Sequence, residues 1–369
     1  MMTTPSDLSP HELTQCIKDK ALELGFDLVG IAPAAGSPEL VFFDRWLEAG
    51  YAGEMHYLQR SAERRQDMRQ VVPGARSVVV CGLNYDTDYP YSTDVGDPNR
   101  GWVARYAWGR DYHDSMQDKL RQLQAFVVER VPEEVASKFY VDTGPVVERV
   151  YAKYAGLGWF GKNTCILNKN LGSWMLLGEL ILSLPLAYDR PALDHCGTCT
   201  RCLDACPTDA LLEPYVLDAR KCIAYLTIEL KGSVPEALRP QMGHHVFGCD
   251  ICQDVCPWNR KRTFTTEEAL QPQPAQVHPS LAELAQLTPQ AFKAWFRHTP
   301  LERTKRRGVL RNVCVAMGNS GNTAFIPLLE TLADDEEALI REHAAWALTR
   351  LRPTPPQEGV GATPGPRIS

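Results

Sequence analysis

The sequence predicts a mixed α/β or α+β sandwich over residues 1 to about 185, then a cysteine-bound module, then a helical end. Three observations predict it. Apolar runs of strand length alternate with amphipathic helical stretches through the first half of the chain. Two cysteine runs, each closing on Cys-Pro, fall between residues 196 and 256. Beyond them, residues 313–317 (VCVAM) and 344–348 (AAWAL) match each other 31 residues apart, each late in an apolar helical face, which suggests a helical repeat pair. The expected divisions are 1–185, 186–262 and 263–351, with a Pro- and Gly-rich tail over 352–369 expected to be disordered.

Each element has a local reason. Ser9, Pro10, His11 and Glu12 form a capping box with proline at the first helical position, which starts a helix running to about Leu24. Residues 26–31 (FDLVGI) read as a short strand. A helix from near Pro38 to Gly50 carries Phe42, Phe43, Trp46 and Leu47 on its expected buried face. After an arginine-rich stretch ending at Arg69, residues 77–81 (SVVVC) form a strand that is apolar on both faces and therefore buried. Residues 85–101 are a turn-rich loop. An aromatic and charged segment, 105–113, leads into a helix from about Asp114 to Arg130. Residues 138–142 are a strand, followed by a helix expected from Pro145 to just before Gly156. The glycine-rich loop 158–164 and two further strands, 165–167 and 173–182, complete the domain. A Thr-, Gln- and Pro-rich linker is expected over 263–278.

The cysteine stretch carries the most specific chemistry. Cys196, Cys199, Cys202 and Cys206 precede Pro207 in a C-x2-C-x2-C-x3-C-P run. Three thiolates on one tight loop suit one iron–sulfur cubane, and in two-cluster ferredoxins the fourth cysteine ligates the other cluster. A second run, Cys249, Cys252, Cys256 and Pro257, lacks its leading cysteine because Val246 stands there; Cys222 lies between the runs and replaces it. The ligand count closes at eight: Cys196, Cys199, Cys202 and Cys256 on one [4Fe-4S] cluster, Cys206, Cys222, Cys249 and Cys252 on the other. Zinc usually takes paired C-x2-C knuckles, and disulfides suit small secreted domains, so both match this pattern less well.

Composition bounds the rest. With 369 residues, 44% of them hydrophobic and 23% charged, the chain is long enough for two or three domains with a sizeable core. No apolar run reaches spanning length, and the first residues have no basic, apolar or twin-arginine leader, so a cytoplasmic protein without a membrane partner is expected. The net charge of −6 means that a nucleic-acid partner would need a local basic patch.

Outside the clusters the residues leave alternatives open. Asp142 ends a strand just before a helix, where an aspartate either caps and turns the chain or serves as an acid at the lip of a cleft. An ordinary aspartate titrates near 4, so a donor at neutral pH would need burial. Gly158 to Thr164 reads equally as a structural turn or as a backbone cradle for phosphate or amide groups, and it lacks the first glycine of a Walker loop. Two basic runs, Arg260-Lys261-Arg262 and the segment from Arg297 to Arg311, are either solvated faces or a phosphate-backbone surface. Cys16, Cys81, Cys165 and Cys314 read as core. His244 and His245 lie close to Cys249, but eight cysteines leave them no vacancy.

These residues together resemble the epoxyqueuosine reductase family, over about residues 10 to 350. The resemblance rests on 105–113 (RYAWGRDYH), 141–149 (VDTGPVVER), 156–164 (GLGWFGKNT), 172–174 (GSW), both cysteine runs and the late repeat. It implies an α+β fold: a nitroreductase-like cobalamin domain, a ferredoxin-like two-cluster module and C-terminal HEAT-like helices. It also implies base-off cob(II)alamin. No Asp-x-His-x-x-Gly signature is present, since Asp111-Tyr112-His113 lacks the glycine, which agrees with cobalt without a histidine ligand. The implied activity is reduction of the epoxide of epoxyqueuosine in the tRNA anticodon loop. Electrons would come from a low-potential ferredoxin- or flavodoxin-type donor through both clusters, and Asp142 would be the general acid. Arg60, Asp142, Asn163, Thr164 and Ser173 would contact the corrin. Recognition of unstacked loop bases over a basic surface gives the two basic runs a role. A chain holding both clusters is expected to act as a monomer. The rivals are a reductive dehalogenase-like enzyme, a ferredoxin-type carrier, and a tRNA-binding module with structural clusters.

Overall fold

The computed structural model describes residues 9–91 and 94–352. The tail expected over 352–369 therefore lies, but for its first residue, outside the described residues. In the first domain four strands pair antiparallel: β1 (Leu28–Pro33), β2 (Ser77–Asn84), β3 (Ser137–Tyr140) and β4 (Met175–Leu182), in the order β1-β2-β4-β3. Side chains alternate across a strand, and β2 shows the consequence. Val79, Cys81 and Leu83 pack with helices α1 (Pro10–Glu23) and α3 (Tyr112–Arg130), while Val78 and Val80 pack on the other face. That second face meets Tyr151 and Ala152 of α4 (Glu148–Tyr154). Every residue of β2 is buried.

Several boundaries differ from expectation. The Ser9 capping box forms, its hydroxyl accepting the Glu12 N–H at 3.3 Å. The first strand begins at Leu28, because Phe26 turns inward as a buried residue after the helix. On α2 (Pro38–Glu48) the buried residues are Leu40 and Leu47; Phe42 is exposed, and Phe43 and Trp46 are partly so. Helix α4 starts at Glu148, three residues beyond the Pro145 expected, because the Val146 carbonyl accepts from Arg65 Nη1 at 2.6 Å.

A short helix lies within each cysteine run, Arg201–Asp204 around Cys202 and Ile251–Asp254 around Cys252, and the two pack together. The strand His245–Phe247 pairs parallel with Trp102–Val103, joining the cysteine module to the first domain. Buried His245 donates its Nδ1–H to Met242 O at 2.8 Å and packs on Trp102; burial pushes its pKa down to about 4. The expected linker is packed rather than free: Thr265 N–H bonds Asp86 O at 2.7 Å, and Leu270 is buried.

The helical end contains α5 (Lys305–Asn319), α6 (Ile326–Ala333) and α7 (Ala338–Leu351). The two matching segments lie on α5 and α7, which pack against each other. Gly318 makes this approach possible, since an added Cβ would stand 2.8 Å from the Trp346 ring. One hydrophobic cluster runs through Ile223, Leu226, Val246, Val313 and Ala344, so the cysteine module and the helical end share a core. Among the described residues no helix is long and apolar enough to cross a membrane.

Candidate active site and cysteine centres

The cysteines gather in two groups. Cys256 lies within electrostatic reach of Cys196, Cys199 and Cys202. Cys222, Cys249, Cys206 and Cys252 form the second neighbourhood. Backbone N–H groups of Leu203, Ala210, Ala224, Tyr225, Ile251 and Trp258 point at these sulfurs; the Ala210 N–H to Cys206 Sγ distance is 3.4 Å. Such donors stabilise thiolate charge and tune cluster potentials. Cys81 and Cys314 are core residues as expected. Cys165 is different: its sulfur lies beside that of Cys252, which sequence spacing could not reveal.

Between the sheet domain and the cysteine module lies a cleft of about 860 Å³. Phe42, Phe43 and Trp46, expected in the core, line it instead, together with Phe160. Leu217 and Ala219, just before Cys222, form part of the far wall, and Asp142 stands on the near side. Thr164 also lines the cleft, whereas Arg60 lines an adjoining pocket of about 380 Å³ with Arg64 and Arg65. Asn163 and Ser173 do not reach the cleft as expected of corrin contacts. Asn163 is buried, its amide N–H bonding Cys252 O at 3.3 Å and its oxygen accepting Cys165 N–H at 3.2 Å. The Ser173 hydroxyl accepts from Gln253 Nε2 at 3.0 Å and Asn259 Nδ2 at 2.9 Å. Both polar groups are committed to the second cysteine run, while Trp159, Phe160 and Thr164 of the glycine-rich loop line the cleft.

Asp142 is not a helix cap. It follows β3 with φ of 57°, a left-handed conformation uncommon for a non-glycine residue. Its backbone N–H donates to Glu148 Oε1 at 2.6 Å. Its carboxylate Oδ2 accepts from the Tyr112 hydroxyl at 3.0 Å and lies 3.9 Å from His113 Nε2 and 3.8 Å from Arg303 Nη1. The side chain is 56% exposed. Tyr112 and His113 begin α3, whose N-cap Asp111 accepts the His113 N–H at 3.1 Å. Arg303 Nη2 contacts both oxygens of Asp111 at 2.8 and 3.0 Å. Burial pushes the Asp111 carboxyl up, but the bonds from His113 and Arg303 outweigh it and hold its pKa at about 2. Burial above all keeps the Tyr112 phenol neutral.

Arg303 belongs to a basic run read as a candidate phosphate surface, yet it reaches inward from the helical end. Others of that run are also internal. Arg311 is fully buried, donating to the carbonyls of Leu226, Leu230 and Gly232, and Arg306 pairs with Asp335 at 2.9 Å. Arg262 is likewise taken, by Asp86 at 2.7 Å. Arg260, Lys261, Arg297, Lys305 and Arg307 remain exposed. That Tyr112, His113 and Arg303 are partners of Asp142 was not legible in the sequence, because they meet it only through the packing of α3 and the helical end.

Known proteins match this arrangement. The family described as 4Fe-4S double cluster binding domain matches residues 195–259, and that described as epoxyqueuosine reductase QueG, DUF1730, matches residues 65–143. The epoxyqueuosine reductase of Pseudomonas aeruginosa is 43% identical over 350 residues, which cover 92% of this chain and 95% of that one. A crystal structure of epoxyqueuosine reductase with an epoxyqueuosine-modified tRNA stem loop superposes with a TM-score of 0.83 at 32% identity, covering 93% of this chain and 91% of the other. The Bacillus subtilis epoxyqueuosine reductase, solved with its catalytic aspartate loop swung out of the active site, gives the same TM-score of 0.83, identity of 32% and coverage of 93% and 91%.

Proposed function

The chain belongs to the epoxyqueuosine reductase family, and from that premise we propose how its own residues perform the reaction. It is an oxidoreductase that reduces the epoxide of epoxyqueuosine in tRNA to the cyclopentene of queuosine. The balance is two electrons and two protons in, one water out. Cys196, Cys199, Cys202 and Cys256 hold one [4Fe-4S] cluster, and Cys206, Cys222, Cys249 and Cys252 the other; the two cysteine neighbourhoods and the match to a double-cluster domain support this.

The cleft is the proposed seat of a base-off cob(II)alamin. Its aromatic walls suit a flat macrocycle, and among the described lining residues none is a histidine that could ligate cobalt. Phe42, Phe43, Trp46 and Thr164 would hold it, Arg60 would reach it from the adjoining pocket, and Asn163 and Ser173 would support the wall from behind. When bound, clusters and corrinoid supply the electrons, which a low-potential ferredoxin- or flavodoxin-type donor provides.

Asp142 gives a proton to the departing epoxide oxygen. The Tyr112 hydroxyl and Arg303 guanidinium, placed beside its Oδ2, stabilise the carboxylate left after that transfer. In the two basic runs Arg260, Lys261, Arg297, Lys305 and Arg307 are exposed and would meet tRNA phosphates, with the α5–α7 helices serving as a HEAT-like support. The observation that carries this reading is the position of Asp142 on a cleft whose opposite wall leads to Cys222.

Anaerobic purification with added cobalamin, metal analysis and a single-turnover assay on epoxyqueuosine-containing tRNA test it. About eight irons and one cobalt per chain with conversion to queuosine is the expected result for two cubanes and one corrinoid. Iron loading without cobalt uptake or turnover would leave an electron carrier.

A further inference from the structure

Directly beneath the Asp142 loop sits a carboxyl pair that the proposed reaction does not use. Glu179 lies on β4, opposite Val80 of β2 and Tyr140 of β3, on the sheet face that α4 covers. Its side chain is completely buried, and neither carboxyl oxygen meets an N–H or hydroxyl donor among the described residues. The group it does meet is another carboxyl, that of Glu148 at the start of α4. Two carboxyls in hydrogen-bond contact need a proton between them, because two carboxylates only repel. The same Glu148 accepts the backbone N–H of Asp142 at 2.6 Å, at the residue whose left-handed φ of 57° places its carboxyl beside Tyr112.

We propose that Glu179 in its acid form donates its O–H to Glu148, that Glu148 thereby latches the Asp142 loop through the Asp142 N–H, and that loss of this shared proton at alkaline pH releases the loop. Glu148 and Glu179 are thus positioning residues for Asp142. The inference rests on Asp142 being the acid of the reaction proposed above.

The surroundings set the direction of the pH response. Burial first, then the Asp142 charge, pushes Glu148 up to about 7, and burial with the Glu148 charge pushes Glu179 well above the ordinary range. Facing the pair, Asp142 disfavours further ionisation, whereas Arg149 and Arg65 favour it. The Cys81 thiol on β2 and the Tyr151 hydroxyl on α4 are both driven upward by burial and stay neutral through this range. Raising the pH therefore adds negative charge beside Asp142, where the backbone is already strained. The latch holds on the acid side of its titration and weakens on the alkaline side.

The variants Glu148→Ala, Glu148→Gln and Glu179→Gln separate latch from scaffold. Glu148→Ala is expected to lower single-turnover kcat at least tenfold with little change in KM for tRNA. Glu148→Gln keeps an oxygen for the Asp142 N–H and cannot ionise, so it should recover most of that loss and flatten the alkaline limb of the pH profile. Two readouts do not depend on turnover. Difference infrared spectra at pH 7 should show a protonated carboxylic acid that Glu179→Gln removes. Hydrogen exchange over residues 141–146 should accelerate from pH 6 to pH 9 beyond its intrinsic pH dependence in the wild type, and not in Glu148→Gln. An unchanged alkaline limb in Glu148→Gln, or no acid band assignable to Glu179, would overturn the latch. A wild type that shows the band and the exchange shift but does not convert epoxyqueuosine-tRNA would instead overturn the proposed reaction.

Discussion

Asp142 combines a left-handed backbone with a carboxylate facing a tyrosine, a histidine and an arginine. Asp142→Asn keeps the shape and removes the proton. We expect both clusters to load normally and turnover to fall by about 10²-fold or more, the usual loss for a general acid; retained turnover would return Asp142 to a turn-forming role. Its neighbour Asp111 gives a stability prediction of known sign. Its carboxyl, held at about 2, binds protons less readily folded than unfolded. The stabilisation is therefore present above the ordinary aspartate value near 4 and is lost as pH falls from about 4 towards 2, worth roughly 2 kcal/mol for a shift of nearly two units. Arg303→Met removes one of the bonds responsible, so its acid unfolding should begin at higher pH than that of the wild type while stability at pH 7 drops. Coincident acid transitions in the two proteins would show that Arg303 does not hold Asp111 down.

At the scale of single elements, local chemistry was the readable part. The Ser9 capping box and the β2 apolar run appear where their patterns put them. In the structure Cys256 lies near Cys196 and Cys199 of the first run. What local pattern could not show is the partner an element would meet. Phe42, Phe43 and Trp46 have the periodicity of a core face, but in α2 they border the cleft. The run from Arg297 to Arg311 looked like one charged surface, yet Arg303 turns to Asp111 and Arg311 lies buried under three carbonyls of the cysteine module. Arg311 on α5 is therefore a strut. Arg311→Met fills similar space but leaves those carbonyls without donors, at about 1 to 3 kcal/mol for each unsatisfied group before relaxation. We expect a destabilisation of about 3 kcal/mol or more in chemical denaturation, with the salt dependence of tRNA binding unchanged because no phosphate contact is lost. A reduced salt slope would mean that Arg311 reaches RNA.

For the whole molecule, the distribution of core residues matters more than the order of segments along the chain. Two hydrophobic clusters belong to the sheet domain, one on each face of the sheet. The third joins the cysteine module to α5 and α7, so the segments on either side of residue 262 are packed as one body. Arg311 and Asn312 reinforce the junction, the amide of Asn312 donating to Thr227 O and Val246 O, both at 2.9 Å. Metal binding is folding free energy for a site built from a loop-rich segment, and residues 195–259 contain only short helices, a small hairpin and the three-residue strand His245–Phe247. Removing iron should thus loosen the cysteine module, and through the shared core it should also loosen α5 and α7. The sheet domain, whose β2 and β4 are held by their own packing, should keep its protection. Hydrogen exchange of the iron-loaded and chelator-treated protein checks this, comparing residues 305–319 and 338–351 with 77–84 and 175–182. Exchange rising in the two helices while the two strands stay slow is the expected pattern. Helices that remain as protected as the strands after iron removal would show that the third core stands without its clusters, and that the helical end folds on its own.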